Sequence, residues 1–227
     1  MPSPFVATRT LRLSEVFLSI QGEGPSAGSP AHFIRLQGCD VGCIWCDTKY
    51  SWDPARGRAV ALERLWDEAA ALGAAPLLVV TGGEPLQHPA LDQVLDGALA
   101  RWTRVEVETS GIAPPPRSHE HLHYNVSPKL PAATPRWRET WRHTAAWLSE
   151  PRATFKIVIA ATADLGDFET WQSTYAVPAA RIMLMPEGMD VTTLHARAAW
   201  LESWCAARGL RLSPRLHIER WGARRGV

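Results

Sequence analysis

Three cysteines, Cys39, Cys43 and Cys46, lie within eight residues in the stretch GCDVGCIWCDTKYSWD. Thiolates bind iron–sulfur clusters and structural zinc, and both kinds of centre usually close at four protein ligands. The C-x3-C-x2-C spacing lets one loop surround an inorganic centre and leaves the fourth position open. The remaining cysteine, Cys205, lies in a helical pattern, where we expect a buried small apolar side chain. A zinc site completed by Cys205 or by a histidine such as His32 is the alternative.

Strand and helix patterns alternate along the chain, which predicts parallel βαβ units and an α/β fold built as an open or partial β/α barrel. Apolar runs predict strands over 11–21, 32–37, 76–81, 104–109, 122–127, 154–160 and 181–186. Amphipathic patterns predict helices over 61–73, 91–102, 164–175 and 190–209. The proline- and tryptophan-rich segments 113–121 and 128–143 are interpreted as surface insertions with packing or interface roles.

Polar or glycine-containing motifs follow several predicted strands. TGGEP follows the strand over 76–81, and ETSG, SPK and MPEG follow three later strands. In β/α barrels the carboxyl ends of the strands form the rim on which active sites are built. Ordinary turn chemistry explains any one motif alone, but four motifs on one rim favour an active site. The cysteine loop follows the strand over 32–37 and joins the same rim.

Charge and composition favour a small-molecule partner. The 227 residues carry a formal net charge of +1, spread along the chain, so nothing indicates a nucleic-acid-binding surface. The apolar run over 69–80 is interrupted by Gly73 and Pro76 and is too short to span a bilayer. The N-terminus does not resemble a secretory signal, so we expect a cytoplasmic protein with reduced thiols and without membrane attachment.

The cysteine spacing, with the aromatic residue Trp45 before the last cysteine, resembles the signature of the radical S-adenosylmethionine (SAM) superfamily. The resemblance implies that the three cysteines hold three irons of a 4Fe-4S cluster, while SAM chelates the fourth. One electron then cleaves the sulfonium, and a 5′-deoxyadenosyl radical takes a hydrogen atom from the substrate. It also implies a single domain over 1–227, a partial and abbreviated (β/α)6-type TIM barrel with cluster and active site at its C-terminal rim.

The same resemblance indicates a SAM site on the rim. Its GGE motif implies that the backbone of Gly82, Gly83 and Glu84 engages the methionine amino group, because glycines let the chain approach a ligand closely. Further residues match positions that bind the cofactor in relatives: Ile44, Trp45, Ser110, Ser127, Pro128, Lys129, Met185, Pro186, Glu187 and Gly188. A solvated surface position is the alternative for Lys129.

SIQGEG, FIRL and the CDT after the last cysteine are similar to the start of 7-carboxy-7-deazaguanine synthases. The resemblance extends through GGEP, ETSG, SPK and FK to HIERWGARRG. It implies conversion of 6-carboxy-5,6,7,8-tetrahydropterin to 7-carboxy-7-deazaguanine, with ring contraction and loss of ammonia, on the pathway to queuosine and other 7-deazapurines. It also implies regeneration of SAM, dependence on Mg2+, a homodimer, and an electron donor such as a flavodoxin or ferredoxin.

Substrate-binding residues are predicted from this family resemblance and from hydrogen-bonding chemistry. The backbone of Ile20, Gln21 and Gly22, together with the Gln21 and Glu23 side chains, would bind the pyrimidinone edge of the pterin. Arg35 would bind a carboxylate in a bidentate manner, and the remaining candidates are Thr81, Thr48 as an Mg2+ ligand, His217 and the free carboxylate of Val227.

For four of these sites the alternative is a role without ligand binding. QGEG would then be a polar hairpin turn, and Arg35 would pair with an acidic side chain. His217 would be a core histidine, and the C-terminal residues would be a frayed tail.

Two alternatives remain for the function of the whole chain. An activase for a glycyl-radical enzyme shares the small size and the cysteine spacing, although SIQGEG and CDT argue against it. A non-catalytic iron–sulfur or zinc-binding module is the alternative from another class, and the motifs on the rim would then have no purpose.

Overall fold

Residues 10–227 are described by a computed structural model of the chain. Residues 1–9, which hold most of the N-terminal stretch considered above as a secretory signal, lie outside this part. The strands are β1 (Thr10–Ile20), β2 (Pro30–Leu36), β3 (Arg58–Ala61), β4 (Leu77–Gly82), β5 (Arg104–Thr109), β6 (Leu122–Val126), β7 (Ala153–Ile159), β8 (Ile182–Pro186) and β9 (Arg211–Leu212). The helices are α1 (Leu62–Ala71), α2 (Leu91–Leu99), α3 (Trp137–Trp141), α4 (Thr144–Ser149), α5 (Asp164–Tyr175), α6 (Val191–Ala206) and α7 (Leu216–Trp221).

The nine strands of residues 10–227 belong to one sheet, in the order β3-β1-β2-β4-β5-β6-β7-β8-β9. Strand β1 pairs antiparallel with both β2 and β3. From β2 through β4 to β9 every neighbouring pair is parallel. Because parallel strands end at the same edge, the segments that follow them lie side by side. The predicted α/β class with a parallel sheet is confirmed.

The core explains why the parallel strands are continuous apolar runs. Strand β4 is buried at every position, as expected for a parallel strand covered on both faces. The largest fully buried side chains include Trp147, Trp171 and Phe168, which come from helices α4 and α5. Cys205 of α6 is also buried in this core, which agrees with its interpretation as a small apolar side chain.

The segment 128–143 differs from its interpretation as a surface insertion. Leu130, Thr140 and Trp141 are buried, and the segment contains α3. The segment 113–121, by contrast, contains no helix or strand and its residues are partly or fully exposed. Tryptophan density in 128–143 therefore reflects packing against the rest of the fold. Within residues 10–227 there is no helix with the length and apolar character needed to cross a membrane.

Candidate active site

A cavity of about 210 Å³ lies at the carboxyl edge of the parallel strands. Its wall includes residues from the ends of β2, β4, β5, β6, β7 and β8. Twenty-one sequence-predicted residues line it: Ile20, Gln21, Gly22, Glu23, Arg35, Cys39, Cys43, Trp45, Cys46, Thr48, Thr81, Gly82, Gly83, Glu84, Ser110, Ser127, Lys129, Met185, Glu187, His217 and Val227. Four predicted residues do not: Ile44, Pro128, Pro186 and Gly188.

The loop after β2 brings all three clustered cysteines to the cavity wall. Its base is fixed by backbone hydrogen bonds from Gly38 to Ser51 (2.8 Å) and from Cys39 to Trp52 (3.0 Å). The Trp52 indole donates to Cys46 Sγ at 3.3 Å. Burial raises the pKa of Cys39 to about 11. Binding of iron to this thiol would therefore displace its proton, as thiolate ligation requires.

The segment 128–143 supports the cysteine loop from its outer side. Ile44 N–H donates to Ala133 O at 2.9 Å, and the Thr134 hydroxyl donates to Val41 O at 2.5 Å. Arg136 forms an ion pair with Asp40 at 2.5 Å, which lowers the pKa of that carboxyl group. The side chain of Ile44 itself points outward and is 66% exposed, so only its backbone supports the predicted site.

The three clustered cysteines line the same cavity. Within residues 10–227, no group of three or more His, Cys, Asp or Glu side chains is arranged to hold a single metal ion. Cys205 does not line this cavity. The loop therefore offers three thiols to one cavity, and their binding of an iron–sulfur cluster stays a prediction.

Gly82 and Gly83 allow two loops to pack together. A Cβ atom on Gly82 would lie 2.5 Å from Leu36 O, and one on Gly83 would lie 2.3 Å from Gly38 O and 2.6 Å from Cys39 Cβ. Backbone N–H groups of Gly83 and Glu84 donate to Leu36 O (3.0 Å) and Gly38 O (2.9 Å). The close approach predicted toward a ligand is thus also an approach to the backbone of the cysteine loop.

The Glu84 carboxylate connects the loop after β4 to the loop after β5. It is 2% exposed and accepts hydrogen bonds from Ser110 N–H (2.7 Å), the Ser110 hydroxyl (2.5 Å) and the Thr109 hydroxyl (2.6 Å). Leu86 N–H also donates to it at 3.0 Å. These contacts occupy the Glu84 carboxylate and the Ser110 hydroxyl, so their side chains act first as supports of the rim.

Of the predicted residues after β6 and β8, Lys129 and Met185 face the cavity, whereas Glu187 and Gly188 bond to arginines of the protein. Lys129 donates to the Ser127 hydroxyl at 2.9 Å and lies 5.3 Å from the centre of the Trp45 ring, so it faces the site and is not a solvated surface lysine. Met185 is buried on the wall. Glu187 pairs with Arg197, while Gly188 O accepts from Arg215 at 2.6 Å.

The QGEG loop connects two antiparallel strands, as the hairpin alternative stated, and it also lines the cavity. Gln21 donates to Glu108 at 3.1 Å through its side chain, and its backbone groups bond to Ser29 and Gly28. Gly22 O accepts from Leu216 N–H at 3.0 Å. Much of the hydrogen-bonding capacity predicted for a ligand is therefore used within the protein in this state.

Glu23 lies in a buried network of charges. It forms ion pairs with Lys156 and with Arg215 at 3.1 Å, and its Oε1 lies 3.7 Å from Nε2 of His217. Burial alone would raise the pKa of Glu23, but the charges of Lys156 and Arg215 outweigh it and lower that pKa strongly. Arg215 also pairs with Asp47 at 2.6 Å. At neutral pH Glu23 is a carboxylate held between two cations.

Arg35 is paired in the way that the alternative reading stated. Its Nε donates to Glu15 Oε1 at 2.7 Å, so the full bidentate fork predicted for a carboxylate ligand is not free. The guanidinium still lines the cavity, as do Thr81 and Thr48. The Thr48 hydroxyl lies 3.5 Å from Cys46 Sγ. Val227 also reaches the wall.

Comparisons with known proteins show to which family the chain belongs. Residues 33–162 match the model of the radical SAM superfamily. The chain is 41% identical over 226 residues to the 7-carboxy-7-deazaguanine synthase of Pyrobaculum aerophilum, covering 97% of this chain and 99% of the relative. The enzyme of that name from Hyperthermus butylicus is 36% identical over 223 residues, with 92% of each chain covered.

The chain belongs to the radical SAM 7-carboxy-7-deazaguanine synthase family. A crystal structure of QueE from Escherichia coli matches with a TM-score of 0.66 and 27% identity, covering 90% of this chain and 93% of QueE. Streptococcus suis SuiB matches with a TM-score of 0.54 and 12% identity, covering 78% of this chain and 46% of SuiB, which shows a shared fold alone. The resemblance drawn from SIQGEG, the cysteine loop and GGEP is confirmed.

Several charged residues of this 7-carboxy-7-deazaguanine synthase family member escaped the sequence analysis as site residues. Lys156, Arg215, Asp47 and Glu108 all line the cavity. Lys156 carried a usable signal, because a lysine inside the apolar strand TFKIVIA must find a buried partner. Asp47 was visible in the CDT motif. Arg215 had no periodic pattern around it that would indicate its role.

Proposed function

We propose that the chain is a 7-carboxy-7-deazaguanine synthase that converts 6-carboxy-5,6,7,8-tetrahydropterin to 7-carboxy-7-deazaguanine and ammonia. The observation that carries the proposal is one cavity that joins the three cysteines to the QGEG loop. Removing ammonia from the substrate gives the composition of the product, so the overall reaction needs no net oxidant. We assign it to the lyases and to the biosynthesis of queuosine and related 7-deazapurines.

Cys39, Cys43 and Cys46 would hold the 4Fe-4S cluster, and the rim around Gly82, Ser127 and Met185 would hold SAM. When bound, this pair supplies a radical that removes a hydrogen atom from the substrate. The role of the protein is then to bind both partners and to exclude water. Two wall residues would help to bind these partners. Lys129 is held by a hydrogen bond to the Ser127 hydroxyl, and its ammonium group lies over the Trp45 ring.

The substrate would bind against the charge network around Glu23. A pterin offers amino and amide donors on its pyrimidinone edge, which suit the Glu23 and Glu108 carboxylates. The carboxylate of the substrate suits a cation elsewhere on the wall, and Arg35 is the candidate, because Lys156 is already paired with Glu23. Because Arg35 already uses Nε on Glu15, its terminal nitrogens would make this contact. His217 and Val227 would complete the pocket.

Magnesium would bind beside the cysteine loop. The fit is partial: the Thr48 hydroxyl lines the cavity, whereas the neighbouring Asp47 carboxylate is paired with Arg215. Mg2+ commonly takes one or two protein ligands and completes its shell with substrate and water. One protein hydroxyl, the substrate carboxylate and several waters would together form such a coordination shell. We therefore keep Thr48 as the proposed protein ligand.

The remaining parts of the proposal concern architecture and partners. We propose that the sheet forms a partial (β/α)6-type TIM barrel, in one domain over 1–227, with the cluster at its C-terminal rim. The parallel order from β2 to β9 supports this. A homodimer and a flavodoxin or ferredoxin as electron donor follow from the family resemblance. A reducing cytoplasm suits the cluster-binding thiols.

The test is anaerobic reconstitution with iron and sulfide, followed by incubation with SAM, Mg2+, a reductant and carboxytetrahydropterin. We expect formation of 7-carboxy-7-deazaguanine, detected by mass spectrometry. Cys39→Ala should lose the visible absorbance of the cluster and all product, while the matched variant Cys205→Ala should keep both. Cleavage of SAM without any deazaguanine would favour the activase alternative, and binding of zinc without iron would favour the non-catalytic module.

A further inference from the structure

Glu15 of β1 gathers three donors from different parts of the chain. Its Oε1 accepts from Arg35 Nε at 2.7 Å and from the Tyr50 hydroxyl at 2.7 Å. Its Oε2 accepts from Arg225 Nε at 2.9 Å. The Glu15 side chain is only 12% exposed, so this carboxylate is committed to the protein. It is not on the cavity wall, although Arg35 and Val227 are.

Arg225 fixes the C-terminal residues to this carboxylate. Helix α7 ends at Trp221, and Gly222 and Gly226 both adopt positive φ angles of 64° and 72°, which turn the last residues back toward β1. The Arg225 guanidinium lies 4.1 Å from the centre of the Tyr50 ring and donates to Glu15. Val227, two positions later, then reaches the cavity.

We propose that Glu15 is a positioning residue that fastens the C-terminal tail, residues 222–227, at the edge of the cavity and sets both Val227 and Arg35 for substrate binding. The substrate part of this inference rests on the proposed function. One carboxylate thus controls two groups on the wall. Tyr50 supports the arrangement by holding Glu15 through its hydroxyl and Arg225 through its ring. Without the carboxylate, the tail would lose its charged contact and Arg35 its partner.

The first test measures the position of the tail without any substrate or cluster. A carboxypeptidase releases Val227 faster when the tail leaves the surface. We expect Glu15→Gln and Arg225→Ala to speed this release by about three- to fivefold, as the loss of one partly exposed ion pair allows. Arg224→Ala is the matched control and should leave the rate unchanged, since the described residues show no ion pair to Arg224. Equal rates in all four proteins would overturn the proposal.

The second test uses turnover and asks whether Glu15 acts through the tail. In the full chain, Glu15→Gln should raise the Michaelis constant for carboxytetrahydropterin by about three- to fivefold with kcat less affected. In a chain that lacks Gly226 and Val227, the same substitution should add a clearly smaller increase, because the carboxylate that it positions is gone. An equal increase in both backgrounds would contradict positioning of the tail.

Tyr50→Phe is a second variant that keeps the proposal testable if Glu15→Gln misfolds. It removes only the hydroxyl donor to Glu15 and should show the same direction of change in both assays with a smaller amplitude. If it changes neither assay, the cluster of contacts is not a fastening. Failure of the proposed function has a different signature: the wild type forms no deazaguanine product, while the carboxypeptidase rates still separate Arg225→Ala from Arg224→Ala.

Discussion

Nη2 of Arg215 lies 2.6 Å from Oδ2 of Asp47, the residue that directly follows the last cysteine of the cysteine loop. The same guanidinium donates to Glu23 at 3.1 Å and to Gly188 O at 2.6 Å. It is buried, with 6% of its side chain exposed. One arginine therefore connects the cysteine loop, the QGEG loop and the loop after β8.

Arg215→Gln should destabilise the protein by about 3 kcal/mol, because removing one partner of a buried pair leaves the other charges uncompensated. Urea unfolding measures this loss. Arg208→Ala is the control: Arg208 pairs with Glu169 at 3.5 Å with both side chains about half exposed, so its loss should stay below about 1 kcal/mol. Similar losses for both variants would contradict a central role for Arg215.

Gly83→Ala should distort the cysteine loop, because the added Cβ would lie 2.3 Å from Gly38 O. We expect a lower iron content after reconstitution and a lower free energy of unfolding. Gly166→Ala in α5 is the matched control, since its Cβ would meet nothing within 4 Å. That variant should keep its iron and gain roughly 0.5 kcal/mol from helix propensity. Full iron content in Gly83→Ala would refute this account of the glycine.

Thr48→Val should raise the Mg2+ concentration needed for half-maximal product formation, because it removes the proposed hydroxyl ligand and keeps the side-chain shape. The iron content should not change. Thr192→Val, at an exposed position of α6, serves as the control and should respond to Mg2+ like the wild type. An unchanged Mg2+ response in Thr48→Val would remove Thr48 from the metal site.

His217 should make the stability of the folded protein depend on pH. Burial lowers the pKa of His217, although Glu23 favours its protonated form; Arg215, Asp47 and Glu108 also face it. The unfolded chain binds a proton at His217 below its ordinary pKa of about 6.5, whereas the folded protein does so only at lower pH. Stability is therefore lost as the pH falls below about 6.5.

His217→Asn removes this contribution to the pH dependence. Between pH 7 and pH 5.5, the wild type should lose roughly 0.5 kcal/mol or more of unfolding free energy beyond the loss in the variant. The two proteins differ only at position 217, so the difference between their losses reports on His217. Chemical denaturation at both pH values measures it, and parallel losses in the two proteins would contradict a lowered pKa of His217.

Local patterns were sufficient for much of the fold and for one side of the site. The cysteine spacing and the GGEP motif each lie within a few residues, and the parallel strands are apolar runs that periodicity detects. The short elements β3, α3, α4 and α7 were missed, because segments of four to six residues carry no reliable period.

The ion pairs around Glu23 and Glu15 could not be predicted from local sequence patterns. Glu23 meets Lys156 and Arg215 across 133 and 192 positions of the chain, and Glu15 meets Arg225 across 210. Such pairs depend on the register of the sheet and on the direction of the last turns. For the same reason the sequence did not show that Arg35 pairs with Glu15, and whether its terminal nitrogens also bind a ligand stays a prediction.

The central claim is that one cavity, between the cysteine loop and Glu23, holds cluster, SAM and substrate together. An anaerobic crystal structure of the reconstituted protein with SAM and carboxytetrahydropterin tests this most directly. The account predicts a cluster on Cys39, Cys43 and Cys46, and a pterin whose pyrimidinone edge lies within hydrogen-bond distance of Glu23. A pterin bound elsewhere, with the space beside Glu23 filled only by water, would contradict it.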